Sequence, residues 1–154
     1  MQLLTAPTCP AAALLMSRRL VLLAVAALAL LAPSVAMAAR AAPAPAVVLK
    51  DRTFGRILAR RDHRTLYFWT VEKRAGGKIR CTGSCARLWP PLVVGSARTV
   101  PRRIAGAKGT FGVVRRPDGR LQVTYNGLAV YTYVHEGPNQ VLCNNVEGWF
   151  VVRL

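Results

Sequence analysis

Leu121-Gln122-Val123-Thr124-Tyr125-Asn126-Gly127-Leu128-Ala129-Val130-Tyr131-Thr132-Tyr133 carries the strongest secondary-structure signal in the chain. Alternating aliphatic, β-branched and aromatic residues run into Asn-Gly and away from it, and Asn-Gly suits the two positive-φ positions of a two-residue hairpin turn. Such a turn sets Tyr125 opposite Leu128, Val123 opposite Val130 and Gln122 opposite Tyr131. Leu121, Val123, Tyr125, Leu128 and Val130 then share the core face, while Tyr131 and Tyr133 project from the other face beside Gln122 and Thr124.

Working upstream, Gly55 to Ala59 and Thr65 to Val71 are strand-like segments around the polar residues Arg60 to Arg64, which predicts an earlier hairpin. Thr110-Phe111-Gly112 echoes Thr53-Phe54-Gly55, and Asp118-Gly119-Arg120 echoes Asp62-His63-Arg64, so the chain reads as a two-fold repeat over about 47–94 and 110–154. His63 stands where the second copy has Gly119, a turn position needing positive φ. In the first copy Tyr67 and Trp69 share one face, with Leu66 and Phe68 on the other. Leu92-Val93-Val94 and Trp149 to Val152 read as closing strands, and Gly95 to Gly109 as the connection. The predicted fold is mainly β, with two β-hairpin repeats forming one small antiparallel sheet domain and a short helical turn near Cys85 to Trp89, stopped by Pro90-Pro91.

The ends of the chain speak to compartment. Met16-Ser17-Arg18-Arg19, the apolar run Leu20 to Leu31 and the small residues of Ala36-Met37-Ala38 fit a signal peptide over 1–38, with translation starting at Met16 and cleavage after Ala38. Arg18-Arg19 also fits a loose twin-arginine pattern. Ala39, not Cys, follows the cut, which predicts a soluble exported protein, periplasmic or extracellular, rather than a lipid-anchored one. Residues 39–46 form an Ala/Pro tether, leaving 47–154 as a single domain.

The 154 residues carry 22 Lys and Arg against 6 Asp and Glu, a formal net charge of +16. Loss of Arg18 and Arg19 with the leader still leaves about +14. Arg60, Arg61 and Arg64 flank one turn and Arg115, Arg116 and Arg120 flank its counterpart, making two basic hairpin tips. Outside the cytoplasm such tips meet anionic envelope polymers or a membrane surface, and export excludes nucleic acid as a partner.

Cys81, Cys85 and Cys143 survive cleavage, so at least one disulfide is expected in an oxidising compartment. The four-residue spacing allows a local Cys81–Cys85 bridge; a bridge from Cys143 to either is the alternative. All three methionines leave with the leader, no Cys-x-x-Cys-His or Cys-x-x-Cys occurs, and the cysteines and His135 lack paired zinc spacings, so no metal or cofactor is assigned. No nucleophile-elbow, metalloprotease or phosphate-loop motif supports an enzyme.

Tyr67-x-Trp69-x-x-Glu72 and Tyr131-x-Tyr133-x-x-Glu136 repeat an aromatic motif, and Cys81-Thr82-Gly83-Ser84-Cys85-Ala86-Arg87-Leu88-Trp89-Pro90-Pro91 follows its first occurrence. This arrangement resembles a family of secreted, often lipid-anchored bacterial repeat proteins defined by Tyr-x-(Phe/Trp/Tyr)-x-x-Asp, with Glu here in place of Asp. The resemblance implies pairing of Cys81 with Cys85 and an envelope-associated, non-enzymatic binding or structural role; the alternative is a periplasmic redox, haem- or metal-associated protein using the aromatic and cysteine motifs. The motif aromatics either pack the two copies together or line a cleft for a planar or sugar-like ligand, with Glu72 and Glu136 at its rim.

Overall fold

The computed structural model describes residues 43–154. The expected leader over 1–38, its cleavage site and the first part of the tether lie outside the described residues. Strands β1 (Ala46–Asp51) and β2 (Gly55–Arg60) pair antiparallel, with Ala46 opposite Arg60 and Asp51 opposite Gly55. Asp51 makes the reversal, because its carboxylate accepts the amides of Thr53 and Phe54 at 2.8 and 2.7 Å. Ala46 is fully buried in the core, so the tether expected over 39–46 ends before it.

β2 folds back through Arg61 to Arg64, and the Leu66 amide donates to the Leu58 carbonyl at 2.9 Å before strand β3 (Tyr67–Trp69) begins. A strand was expected to run on to Val71. Instead Thr70–Arg74 forms a helical turn, α1. Both the amide and the hydroxyl of Thr70 donate to the Gly148 carbonyl, at 2.9 and 3.0 Å, and this anchor ends the strand. Position 148 must be glycine, since a Cβ there would lie 2.5 Å from the Thr70 hydroxyl and φ is +81°. The second helical turn, α2 (Gly83–Leu88), lies within the cysteine segment and stops ahead of Pro90-Pro91, as the sequence predicts.

Strands β4 (Val93–Val94), β5 (Phe111–Arg115), β6 (Leu121–Tyr125), β7 (Leu128–Ala129) and β8 (Trp149–Val151) complete the domain. β5 and β6 form the second hairpin, with Phe111 opposite Tyr125 and Arg115 opposite Leu121. Asn126 and Gly127, at φ 50° and 78°, turn β6 into β7 in the expected register, Tyr125 against Leu128. The pairing of Gln122 with Tyr131 does not form. Gln122 faces Val93 and Val114, while Tyr131 faces Tyr67 and Pro91. The chain leaves β6 after Val130, whose carbonyl accepts from the Gln122 side chain at 2.9 Å.

The closing strands pair across the halves: β4 adds to β6 of the later half, and β8 adds to β3 of the earlier one. Small antiparallel sheets joined by single bridges result. Because strand residues alternate between faces, neighbours in sequence enter different cores. Leu58, Leu66, Val130 and Val152 pack with Val123, Phe111 and Leu92 in one, and Ile57, Tyr67, Tyr131 and Val151 pack with Trp89 and Trp149 in the other. The face expected to project outward is therefore a second interior, which buries Gln122 and Tyr131 completely. Truncating Leu58 or Leu66 to Ala would cost about 2–5 kcal/mol. The connection from Gly95 to Gly109 is part of the fold as well, since Val100, Ile104 and Ala107 pack on the first core.

Candidate functional site

Tyr67 and Tyr131 sit where the two halves meet, and they exchange both backbone hydrogen bonds, at 2.8 and 2.9 Å. Their hydroxyls diverge from this pair. Tyr67 donates to Glu136, and Tyr131 donates to Glu72 at 2.8 and 3.0 Å. Each tyrosine thus engages the carboxylate that follows the other. Glu72 also accepts the amides of Arg80 and Cys81 at 2.7 and 3.0 Å, and Glu136 accepts the amide of Leu142 at 2.6 Å. Each carboxylate therefore ties its own downstream loop to the opposite half.

The expectation that Glu72 and Glu136 stand at the rim of a cleft is overturned, because the two residues are only 1% and 2% exposed. Burial and the adjoining carboxylates push both tyrosines above their ordinary range, so they remain hydrogen-bond donors. Burial likewise raises Glu136, against the opposing Tyr67 hydrogen bond.

The remaining motif aromatics stack. Trp69, Trp149, Trp89 and Tyr133 follow one another with ring centroids 5.2, 4.0 and 4.8 Å apart, and His135 meets Tyr133 edge-on at 5.3 Å. Tyr67 and Tyr131 abut this stack edge-on, at Trp89 and Trp149. Such arrangements add about 0.5–1.5 kcal/mol per pair beyond area burial.

Cys81 and Cys85 are joined by a disulfide, with Cα atoms 5.2 Å apart, and Cys143 is a free, half-buried thiol. Burial, with Glu136 nearby, holds that thiol above its ordinary range and so disfavours the thiolate. Among the described residues no group of three or more His, Cys, Asp and Glu side chains converges as a metal site.

The two tips share one hydrogen-bonding scheme. His63 donates its amide to the Arg60 carbonyl and Gly119 to that of Arg116, each at 2.8–2.9 Å, and His63 has φ +67° where Gly119 has +82°. Within each tip an aspartate gathers arginines: Asp62 pairs with Arg60 and Arg64, and Asp118 with Arg116 and Arg120. The Arg60 hydrogen bond lowers Asp62 to about 2, and Arg120 holds Asp118 lower still.

Arg61, Arg115 and Arg120 are exposed, and Arg60 and Arg64 are partly so. Arg116 departs from the expectation. It is 3% exposed, with its guanidinium bonded to the Gln122 side chain and, at 2.8 Å, to the Cys81 carbonyl, so its donors are committed inside the fold rather than offered at the tip. Gln122 lies six residues on, across the same hairpin, but Cys81 comes from a segment 35 residues away, and nothing in the local sequence separates Arg116 from its exposed neighbours. Trp89 and Trp149, the centre of the stack, also lie outside the motif itself.

Comparison of the chain with protein-family models, with curated proteins and with solved structures found no match.

Proposed function

We propose that this chain is an exported, non-enzymatic module of the cell envelope that docks on anionic polymers or membrane surfaces. The observation that carries this reading is the separation of charge. Glu72 and Glu136 are buried beneath tyrosines, and Asp62 and Asp118 are tied up by the arginines of their own tips. Arg52, Arg61, Arg87, Arg98, Arg102 and Arg103 are exposed and pair with no carboxylate among the described residues. The reading of the chain as a two-fold repeat draws support from the reciprocal Tyr–Glu bonds and the matching turns. That the motif tyrosines Tyr67 and Tyr131 are buried and bonded to Glu136 and Glu72 favours this reading over a redox or haem role.

Near an anionic membrane each basic side chain contributes up to about 1 kcal/mol. With a screening length of about 8 Å at physiological ionic strength, binding to vesicles containing anionic lipid should fall steeply as salt is added. Replacing Arg60, Arg61, Arg64, Arg115 and Arg120 with Gln should weaken it and leave folding intact. Arg116 is excluded from that set because it is structural. Binding that is insensitive to salt, or absent in the parent protein, would overturn the docking role.

A further inference from the structure

A cavity of about 450 Å³ opens between α2 and the tip at Pro117 to Arg120, on the side where the cysteine segment exposes Thr82 and Gly83. Arg87, Arg116 and Arg120 line it together with one carboxylate, Asp118. We propose that this cavity binds the phosphate group of a phosphorylated ligand.

Three guanidinium groups against one carboxylate leave two positive charges, the complement of a phosphomonoester dianion. Asp118 acts as the orienting group. Its carboxylate accepts from the Nε and one terminal nitrogen of Arg120 at 3.2 and 2.8 Å and from the Arg120 amide at 3.1 Å. The Arg120 side chain is thereby held in one direction, with its remaining N–H groups free for a planar, two-oxygen contact. Arg116 forms the buried wall, fixed by Gln122 and by the Cys81 carbonyl, so its charge cannot swing away.

Arg87, exposed on α2, bonds to no acceptor among the described residues and is the cation left to be filled. The Thr82 hydroxyl adds a neutral donor, and Ala86 and Pro117 supply apolar wall. The volume exceeds that of phosphate alone and admits the group that carries it.

This site deepens the docking reading by naming the chemistry at one point of the basic surface, and its test is separable from that reading. The purified exported protein is titrated with inorganic phosphate and with glycerol 3-phosphate at constant ionic strength. Its binding to phosphatidic acid vesicles is compared with binding to phosphatidylglycerol vesicles of equal surface charge.

Saturable one-to-one phosphate binding is expected, weakened about tenfold or more by Arg87→Gln and unchanged by Arg98→Gln, an exposed arginine outside the cavity. If the phosphate belongs to a lipid headgroup, Arg87→Gln also erodes a preference for phosphatidic acid. If it belongs to a soluble ligand or polymer, vesicle binding by the two variants stays equal while phosphate binding still separates them. Phosphate binding that does not saturate, or that both variants weaken alike, would overturn the site even where salt-dependent vesicle docking persists. Saturable phosphate binding without vesicle docking would retain the site and remove the docking role.

Discussion

Arg116 donates from its guanidinium to the backbone carbonyl of Cys81 at 2.8 Å, joining a hairpin tip of the later half to the disulfide-bearing segment of the earlier one. The same guanidinium holds Gln122, whose amide in turn satisfies the Val130 carbonyl where the strand leaves β6. A single cation therefore organises three segments.

Arg116 should differ sharply from the arginines around it. Arg116→Gln leaves buried acceptors without a donor, and is expected to cost about 2–4 kcal/mol. Arg61→Gln and Arg115→Gln, at exposed tip positions, should each change stability by about 0.5 kcal/mol or less. Urea unfolding of the three variants measures this, and equal losses would contradict the structural role of Arg116.

The two tips share a backbone but not a residue at the left-handed position, which makes a paired test. Gly119 has open space around its missing Cβ, so Gly119→Ala should lose about 1–2 kcal/mol through backbone strain alone. His63→Gly relieves that strain while adding freedom to the unfolded chain, and should fall between no change and about 1 kcal/mol of stabilisation. A neutral Gly119→Ala, or a clearly destabilising His63→Gly, would show that the tips are not equivalent.

Glu136 predicts a pH dependence. Because burial raises its pKa in the folded protein, the native state keeps a proton there at pH values where the unfolded chain has lost it. Stability linked to this group is therefore greatest below the ordinary glutamate range and declines as pH rises through the raised value. Tyr67, the Leu142 amide, Cys143 and Arg64 surround it and are shared with a Glu136→Gln variant. The unfolding free energy of the parent relative to Glu136→Gln should fall as pH rises from the ordinary glutamate range through the raised value. A flat or rising difference would contradict the assignment. The Asp62 carboxylate, lowered to about 2, titrates alike in both proteins and cancels.

What the sequence discloses and what it conceals divide along the range of the interactions. Asn126-Gly127 carries its own turn, so the Tyr125–Leu128 register is readable from five residues, as is the left-handed position of His63 once it is set beside Gly119. The Cys81–Cys85 bridge is local in the same sense. The partner of Tyr131 is not: it lies in Tyr67, and choosing it over Gln122 depends on strands that arrive from the opposite half. Period-two alternation shows two faces but not whether the second is covered, which is why Gln122 and Tyr131 read as outward-facing.

The carboxylates Glu72 and Glu136 stand five residues after their own tyrosines and bond to the other ones, 59 and 69 residues away. The one available signal was that both recur at the same offset from a tyrosine.

The aromatic motif acts as a clasp between halves, and double-mutant cycles on Tyr67, Tyr131, Glu72 and Glu136 measure that clasp. With Tyr→Phe and Glu→Gln substitutions, the cross pairs Tyr131/Glu72 and Tyr67/Glu136 should each show a coupling of about 1–3 kcal/mol in unfolding free energy. The within-motif pairs Tyr67/Glu72 and Tyr131/Glu136 should be additive to within about 0.5 kcal/mol. Coupling confined to the within-motif pairs, or four additive pairs, would rule out the clasp.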